Sequence, residues 1–444
     1  MSSSLKLISS ILQRKEHHNR GDSPLQRPHG DACPPVDPAL TSFANHPALV
    51  ELRMLTVAAQ RFGIGNPFFK VHEGRGGSVT SIEGKEYLNF SHYNYLGLNG
   101  HPEVNAAAAA AIERYGTSVG ASRLVAGERP IKRELEKELA AIYGVDDCVV
   151  FVSGHATNVN TIGTLFEAGD LILHDSLIHN SVLEGIRLSG ATRRSFPHND
   201  LKALEALLAS LRSQYRRVLI VAEGLYSMDG DLPDLPVLVD IKQRYGALLM
   251  LDEAHALGVL GPTGRGSAEY HRFSGNDVDI WMGTLSKTLA GCGGYIAASR
   301  DVVDILKSSA PGFVYSVGIA PPLAAASLTA LRIMLREPER VRRLRERGAL
   351  FLDLARKAGL DVGQAQGFAV IPIILGSSRK AITLSNQLFA EGINVQPIIH
   401  PAVEEKAARL RFFVSAMHSE NDIERVCRSL VRLVHGKDIS NDQN

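Results

Sequence analysis

The stretch "LLMLDEAHALG", Leu248 to Gly258, decides the fold. A short apolar run leads straight into Asp252-Glu253-Ala254-His255. A continuous apolar run of this length between helical segments reads as a strand buried on both faces. Four more runs of the same kind stand around it: "DCVVFVSG", "DLILHD", "RVLIVAEG" and "DIWMGTLS". Together they predict an α/β fold built on a mostly parallel, doubly wound sheet. Ligands of such sheets bind at the carboxyl ends of the strands. Here those ends carry Ser153-Gly154-His155, His174-Asp175, Glu223-Gly224, Asp252 to His255, and Thr284-Ser286-Lys287.

Two carboxylates and a histidine at a strand end also occur where a nucleic-acid motor holds magnesium. That reading fails on two counts. A motor needs a GxxxxGK[ST] loop whose amides hold phosphates; Gly84-Lys85 is followed by Glu86, and no other Gly-Lys pair fits. The formal net charge of +1 also provides no basic field for nucleic acid and no polybasic membrane patch. Among 444 residues, 45% are hydrophobic, enough for a sizeable core, and no apolar run is long enough to span a bilayer. Cys33, Cys148, Cys292 and Cys427 are far apart, without metal-like spacing, and read as reduced thiols of a cytoplasmic protein. No small-residue cleavage site follows the short N-terminal apolar patch, so no secretory signal is expected.

Along the chain, residues 1–40 are polar and rich in Pro and His, which predicts a flexible leader, with a partner-docking tail as the alternative. Residues 41–100 hold an amphipathic helix at Leu49–Phe62 and a hairpin turning at Glu83-Gly84. Residues 101–321 form the large α/β domain, and residues 322–444, with long helices and a few short strands, a smaller α+β C-terminal domain.

The other half of the argument is Lys287, in "GTLSKTLAGCGGY", just after the next strand. A lysine at a strand end can form a Schiff base with an aldehyde cofactor, and pyridoxal 5'-phosphate also needs an acid facing its ring nitrogen. Asp252 suits that second role. Alone, Lys287 would read as a surface lysine and Asp252 as a strand-end cap; the pair on adjacent strand ends reads as a cofactor site.

With these residues in place, the chain resembles the α-oxoamine synthases, fold-type I pyridoxal-phosphate enzymes that include serine palmitoyltransferase, 8-amino-7-oxononanoate synthase, glycine C-acetyltransferase and 5-aminolevulinate synthase. The resemblance runs from about Asn66 to Val431, through "NFSHYNYLGL", "HDSLIHNSVLEGIRLSGA", "FPHND", "EGLYSMDGD", "LDEAHALGVLGPTGRGS", "GTLSKTLAGCGGY" and "ARLRFFVSAMHS". It implies that Lys287 is the Schiff-base lysine and also moves the substrate α-proton. It implies that Asp252 faces the pyridinium, His255 bonds the phenolic oxygen and His179 stacks on the ring. Ser227 would contact the cofactor, and Thr284, Gly154 and His155 its phosphate. Arg411, taken in preference to its neighbour Arg409 on motif register, would hold the amino-acid carboxylate. Asn94 would lie near that carboxylate, or would serve only as a turn residue. Ser316, in "FVYSVGIAPP", would reach the neighbouring subunit's cofactor, which implies a homodimer with shared active sites. The chain departs from the family in Gly154-His155, where glycine is usually followed by Phe or Tyr. "SHYNYLGL" is similar to serine palmitoyltransferases, while "SGHATN" resembles members serving secondary metabolism.

The activity implied is a decarboxylative Claisen condensation of glycine, alanine or serine with an acyl thioester, carried by coenzyme A or an acyl-carrier protein, to an α-amino ketone. The 8-amino-7-oxononanoate synthase and glycine C-acetyltransferase reactions are the alternatives. An inactive regulatory subunit is a further alternative, against which the presence of Lys287 speaks.

Overall fold

The computed structural model describes residues 36–61 and 65–436, which fall into two compact units divided between Gly65 and Asn66. Of the predicted leader, residues 1–35 lie outside the described residues. In the first unit two short 3-10 turns, Pro38–Thr41 and Phe43–Asn45, are capped by the side chains of Asp37 and Ser42. They precede the helix Pro47–Arg61, which starts two residues before the predicted Leu49 because proline fits the first helical turn. Leu52, Met54, Leu55 and Val57 of this helix are exposed.

The second unit begins with the predicted hairpin, β1 (Val79–Ile82) against β2 (Lys85–Asn89), in antiparallel register Ile82 to Lys85. Its turn residues Glu83 and Gly84 both have positive φ, 51° and 71°, as a two-residue primed turn requires. The central sheet comprises β3 (Asp147–Phe151), β4 (Leu171–Asp175), β5 (Thr192–Phe196), β6 (Val218–Glu223), β7 (Leu248–Asp252), β8 (Ile280–Thr284) and β9 (Gly294–Ala298). Their spatial order is β3-β9-β8-β7-β6-β4-β5, and only β9 runs against the rest. The five strands read from apolar runs are all present. The other two gave no such signal: β5 is an edge strand with exposed Arg193 and Arg194, and β9 begins inside a glycine-rich stretch.

Every strand buried on both faces shares its side chains between two cores. Cys148 and Val150, Leu249 and Leu251, and Trp281 pack in one cluster. Val149 and Phe151, Met250, and Ile280 and Met282 pack in the other. This alternation fixes which strand-end residues face the same side of the rim.

The C-terminal part holds β10 (Val370–Ile374), β11 (Ile393–Asn394), β12 (Gln396–Ile398) and β13 (Arg409–Phe413). β10, β13 and β12 form an antiparallel sheet, while β11 pairs in parallel with β2 of the hairpin. The segment after β2 is also tied to β13 and the loop beyond it. Phe413 N donates to Phe90 O at 2.9 Å and Ser415 Oγ to Asn94 O at 2.8 Å. No helix among the described residues is long and apolar enough to cross a membrane.

Beneath the rim, His198 bridges two buried carboxylates, Nδ1 to Asp175 Oδ1 and Nε2 to Asp231 Oδ2, each at 2.9 Å. Burial alone would lower its pKa, but the two carboxylates raise it to about 10. The bridge therefore stabilises the fold fully below the ordinary histidine range and loses that contribution as pH rises through about 10. His198→Gln should cost roughly 3–5 kcal/mol in urea unfolding at neutral pH, because it leaves two buried carboxylates uncompensated. The difference from the parent protein should shrink as pH approaches and passes 10; a difference constant with pH would refute the charged bridge.

Candidate active site

Strand alternation puts Glu223, Asp252 and Thr284 on the same face of the sheet, continuing the rows Val221, Met250 and Met282. Glu253, next in sequence, turns to the opposite side. There its carboxylate accepts from Ser267 N at 2.9 Å and Ser267 Oγ at 2.5 Å, and burial raises its pKa to about 7. The two adjacent acids of the opening motif therefore serve different places, and only Asp252 faces the rim cavity.

That cavity, of about 250 Å³, is lined by residues from five segments, among them Gly154, His179, Glu223, Asp252, Thr284 and Lys287. His155, Ser227 and His255 also line it. The helix Gly154–Leu165 begins at the cavity, with Ser153 Oγ capping Ala156 N at 3.0 Å. The first-turn amides of a helix have no intrahelical acceptor and favour an anion. Gly154 keeps the helix start close to Thr284: a Cβ on it would lie 3.1 Å from Thr284 Oγ1, a tight contact that Thr284 would have to yield to by a few tenths of an ångström. Thr284 Oγ1 itself donates to Gly293 O at 3.0 Å and accepts from Ser286 N at 3.2 Å.

Asp252 Oδ1 accepts from Ala254 N and Oδ2 from Asn158 Nδ2, both at 3.0 Å. His255 Nδ1 lies 2.7 Å from the Tyr95 hydroxyl, and its ring is parallel to Phe413, centroids 6.2 Å apart. Burial, reinforced by Lys287 and Arg411, holds His255 well below the ordinary histidine pKa, so the ring is neutral. Burial raises the Tyr95 pKa, so the phenol keeps its proton and donates to Nδ1. The remaining imidazole hydrogen then belongs on Nε2. His179 is also lowered, by the enclosure of its ring, against the opposing pull of Asp252.

Lys287 Nζ forms no ion pair among the described residues and lies 5.5 Å from the Tyr93 ring centroid. Burial lowers its pKa, against the attraction of Asp252 and Glu223. Glu223 is displaced the other way, chiefly by burial and then by Asp252, its partner in register on β7. Its Oε2 accepts from Ser227 N at 3.0 Å, while Oε1 is buried without a partner.

The two candidate arginines part clearly. Arg409 is committed to Asp229 at 2.7 Å and to Met228 O and Ala407 O. Arg411 has no carboxylate partner among the described residues. Its Nη1 donates to Ser227 O at 3.0 Å, its Nε is buried and unpartnered, and its guanidinium lies over Phe413 at 4.7 Å. Asn94 is not brought to the cavity. Its amide donates to Gly76 O and Asn99 O and accepts from Asn99 N, so it holds a turn. Of the two readings of Asn94, these bonds favour the turn residue; the adjacent Tyr93, which packs edge-on against Phe413 at 4.9 Å, and Arg411 are likewise not among the residues that line the cavity. Ser316 does not line its own chain's cavity; its Oγ accepts from Gly318 N at 3.2 Å.

Sequence reasoning noted Glu223 only as a strand end and passed over Tyr93, Asn158 and Ser181. The parity of Glu223 with Asp252 was available from the strand pattern. Asn158 could be placed only once the approach of its helix to β7 was known.

The residues fit pyridoxal phosphate: a half-buried lysine without an ion-pair partner among the described residues, a buried carboxylate lining the cavity, and helix amides beside hydroxyls for a phosphate. A model of class I and II aminotransferases matches residues 85–430. An 8-amino-7-oxononanoate synthase of Geobacter sulfurreducens is 42% identical over 368 residues, covering 82% of this chain and 93% of the relative. Serine palmitoyltransferase of Sphingomonas wittichii superposes with a TM-score of 0.83 at 26% identity, covering 89% of this chain and 98% of that one. A serine palmitoyltransferase variant solved with pyridoxal phosphate gives the same TM-score, identity and coverage. The chain belongs to the class I and II aminotransferase family, and within it to the pyridoxal-phosphate-dependent α-oxoamine synthases. It is an acyltransferase of fold type I.

Glu223→Gln removes a buried group that resists ionisation. Because the folded-state pKa of Glu223 is raised, the parent protein loses stability as pH rises from the ordinary carboxylate range. The variant should match it near pH 4.5 and exceed it at pH 8 by about 1 kcal/mol or more in thermal unfolding. Parallel pH profiles would refute the displacement.

Proposed function

We propose that the protein condenses a small α-amino acid with an acyl thioester, breaking the acyl C–S bond with release of the thiol and losing carbon dioxide, to give an α-amino ketone. The observation that carries this reading is Arg411, a guanidinium without a carboxylate partner among the described residues, which donates to the carbonyl of the cavity-lining Ser227 at 3.0 Å and leads through the rings of Phe413 and Tyr93 toward Lys287. A bidentate fork suits a substrate carboxylate there.

Pyridoxal phosphate, when bound, supplies an aldehyde for the substrate amine and a ring that accepts the electron pair left at the α-carbon. The chain's own groups do the rest. Helix amides at Gly154 and His155, with Thr284, would hold the phosphate. Asp252 would face the ring nitrogen, His179 would cover the ring, and His255 would donate from Nε2 toward the phenolic oxygen. Arg411 orients the carboxylate. Lys287 Nζ, its pKa lowered by burial, takes the proton from the α-carbon and later returns one to the same atom.

Alanine is the first candidate. The product in the name of the 42% identical relative, 8-amino-7-oxononanoate, carries its amine on the carbon beside the ketone, followed by one methyl carbon. That end is what alanine leaves after decarboxylation, and the remainder is an acyl chain ending in a carboxylate. Serine with a palmitoyl thioester is the second reading, favoured by the serine palmitoyltransferases superposing at a TM-score of 0.83. A homodimer with shared sites is part of the proposal: Ser316 stands outside its own cavity, between exposed Tyr315 and Val317. So is a cytoplasmic setting, supported by the free Cys148, Cys292 and Cys427.

Incubating the protein with glycine, alanine or serine and with coenzyme A or carrier-protein thioesters should yield an amino ketone and carbon dioxide from one pairing. No product from any pairing would overturn the proposal. Lys287→Ala should lose the covalently held cofactor's visible absorbance and turnover. Arg411→Ala should raise the KM for the amino acid at least tenfold more than that for the thioester; equal effects would remove Arg411 from the carboxylate site.

A further inference from the structure

Asn158 lies on the helix Gly154–Leu165, one turn after the residues that begin it, and its side chain is buried. Its Nδ2 carries two hydrogens and uses both: one to Asp252 Oδ2 at 3.0 Å, one to Ser181 Oγ at 2.9 Å. Its Oδ1 is buried and has no partner. Turning the amide over would aim a carbonyl at a carboxylate, so the orientation is fixed by Asp252. A buried carbonyl left unpaired costs about 1–3 kcal/mol, a cost that an apolar side chain filling the same space would avoid. The amide is therefore there for its two donors.

The second donor continues outward. Ser181 N donates to His179 Nδ1 at 3.3 Å, which makes Nδ1 an acceptor. Ser181 Oγ, already accepting from Asn158, gives its own hydrogen to the same Nδ1 at 2.7 Å. The single ring hydrogen of His179 is thereby assigned to Nε2.

We infer that Asn158 is a positioning residue which, through Ser181, locks the carboxylate of Asp252 and the imidazole of His179 into one rigid relay and fixes the His179 tautomer. The inference rests on the proposed function for its chemical purpose, since Asp252 and His179 are there assigned to the ring nitrogen and the ring face. One amide thus sets the angle between the group that governs the ring's electrons and the group that covers its surface. The charged and titratable groups around His179 are Asp252, Lys287, His155 and Arg411, so the relay works within a field that itself responds to pH.

Two measurements on the full-length protein test it. The first is the imidazole ¹⁵N signal of His179 in histidine-labelled protein, read with and without pyridoxal phosphate and assigned by its loss in His179→Gln. Nδ1 should remain unprotonated from pH 6 to 8 in the parent protein. In Ser181→Ala only the long 3.3 Å amide contact to Nδ1 remains and the 2.7 Å hydroxyl bond is gone, so Nδ1 should become protonated in a substantial fraction, and Ser181→Thr should keep the parent signal. An unchanged tautomer in Ser181→Ala overturns the relay. The second is the dissociation constant of pyridoxal phosphate for Asn158→Asp relative to the parent across the same pH range. Near the acid end the new carboxyl is protonated and can still donate to Asp252. At the alkaline end two carboxylates face one another, and the ratio should worsen at least tenfold. A ratio independent of pH overturns the role of Asn158 as donor. Failure of the parent to make an amino ketone would count against the proposed function alone, because the imidazole signal is read without catalysis.

Discussion

The site depends on how closely one helix start can approach the sheet. A Cβ added to Gly294 would fall 2.7 Å from Gly154 Cα and 2.4 Å from Thr157 Oγ1. Only with hydrogen at Gly294 can the first turn of Gly154–Leu165 press against the start of β9, and the bare Gly154 keeps it close beside Thr284. That approach places the positive end of the helix at the cavity, where an anion is stabilised by dipole and amides together. One turn further on, it brings Asn158 within reach of Asp252. Loosening the contact by a few tenths of an ångström would disturb the phosphate end and the ring-nitrogen end of the cavity together.

Within that frame the charges are arranged as an incomplete set. Lys287 and Arg411 are cations without ion-pair partners among the described residues, while Glu223 is a carboxyl that burial pushes toward its neutral form. Elsewhere many structural charges are paired, as in the Arg123 contacts to Glu128 and Glu136, while the buried Lys70 Nζ lies over the Phe389 ring at 3.3 Å without a hydrogen-bond partner. Unpaired buried charge is costly, and its concentration in one cavity marks a place whose counter-ions arrive as ligands. On the function proposed above, the substrate carboxylate and the cofactor phosphate are such counter-ions.

Much of this was legible in the sequence, for definite reasons. Strands buried on both faces announce themselves as apolar runs, so β3, β4, β6, β7 and β8 could be read directly. The edge strand β5, polar on its exposed side, and the glycine-rich β9 could not. Residues at strand ends, including Lys287 and Asp252, are placed by the strand itself, whereas side chains from loops are placed by packing. This is why the two readings of Asn94 could not be separated beforehand: only its bonds to Gly76 and Asn99 show that its amide holds a turn. Arg409 and Arg411 share a strand face, and only Asp229 tells them apart.

The pairing of β2 with β11, and of the segment after β2 with the loop beyond β13, also has a meaning for synthesis. Ser415 and Asn94 are 321 residues apart in the chain, yet their bond helps hold Tyr93 and Tyr95 against the cavity. A growing chain can complete the central sheet, with Asp252 and Lys287, well before β13 leaves the ribosome. Contacts so distant in sequence form late. The part of the cavity around Asp252 and Lys287 can therefore mature while the chain is still being made, whereas Arg411, which on the function proposed above grips the amino acid, is in place only in the finished polypeptide. An incomplete chain would hold its cofactor machinery without the means to orient a substrate on it.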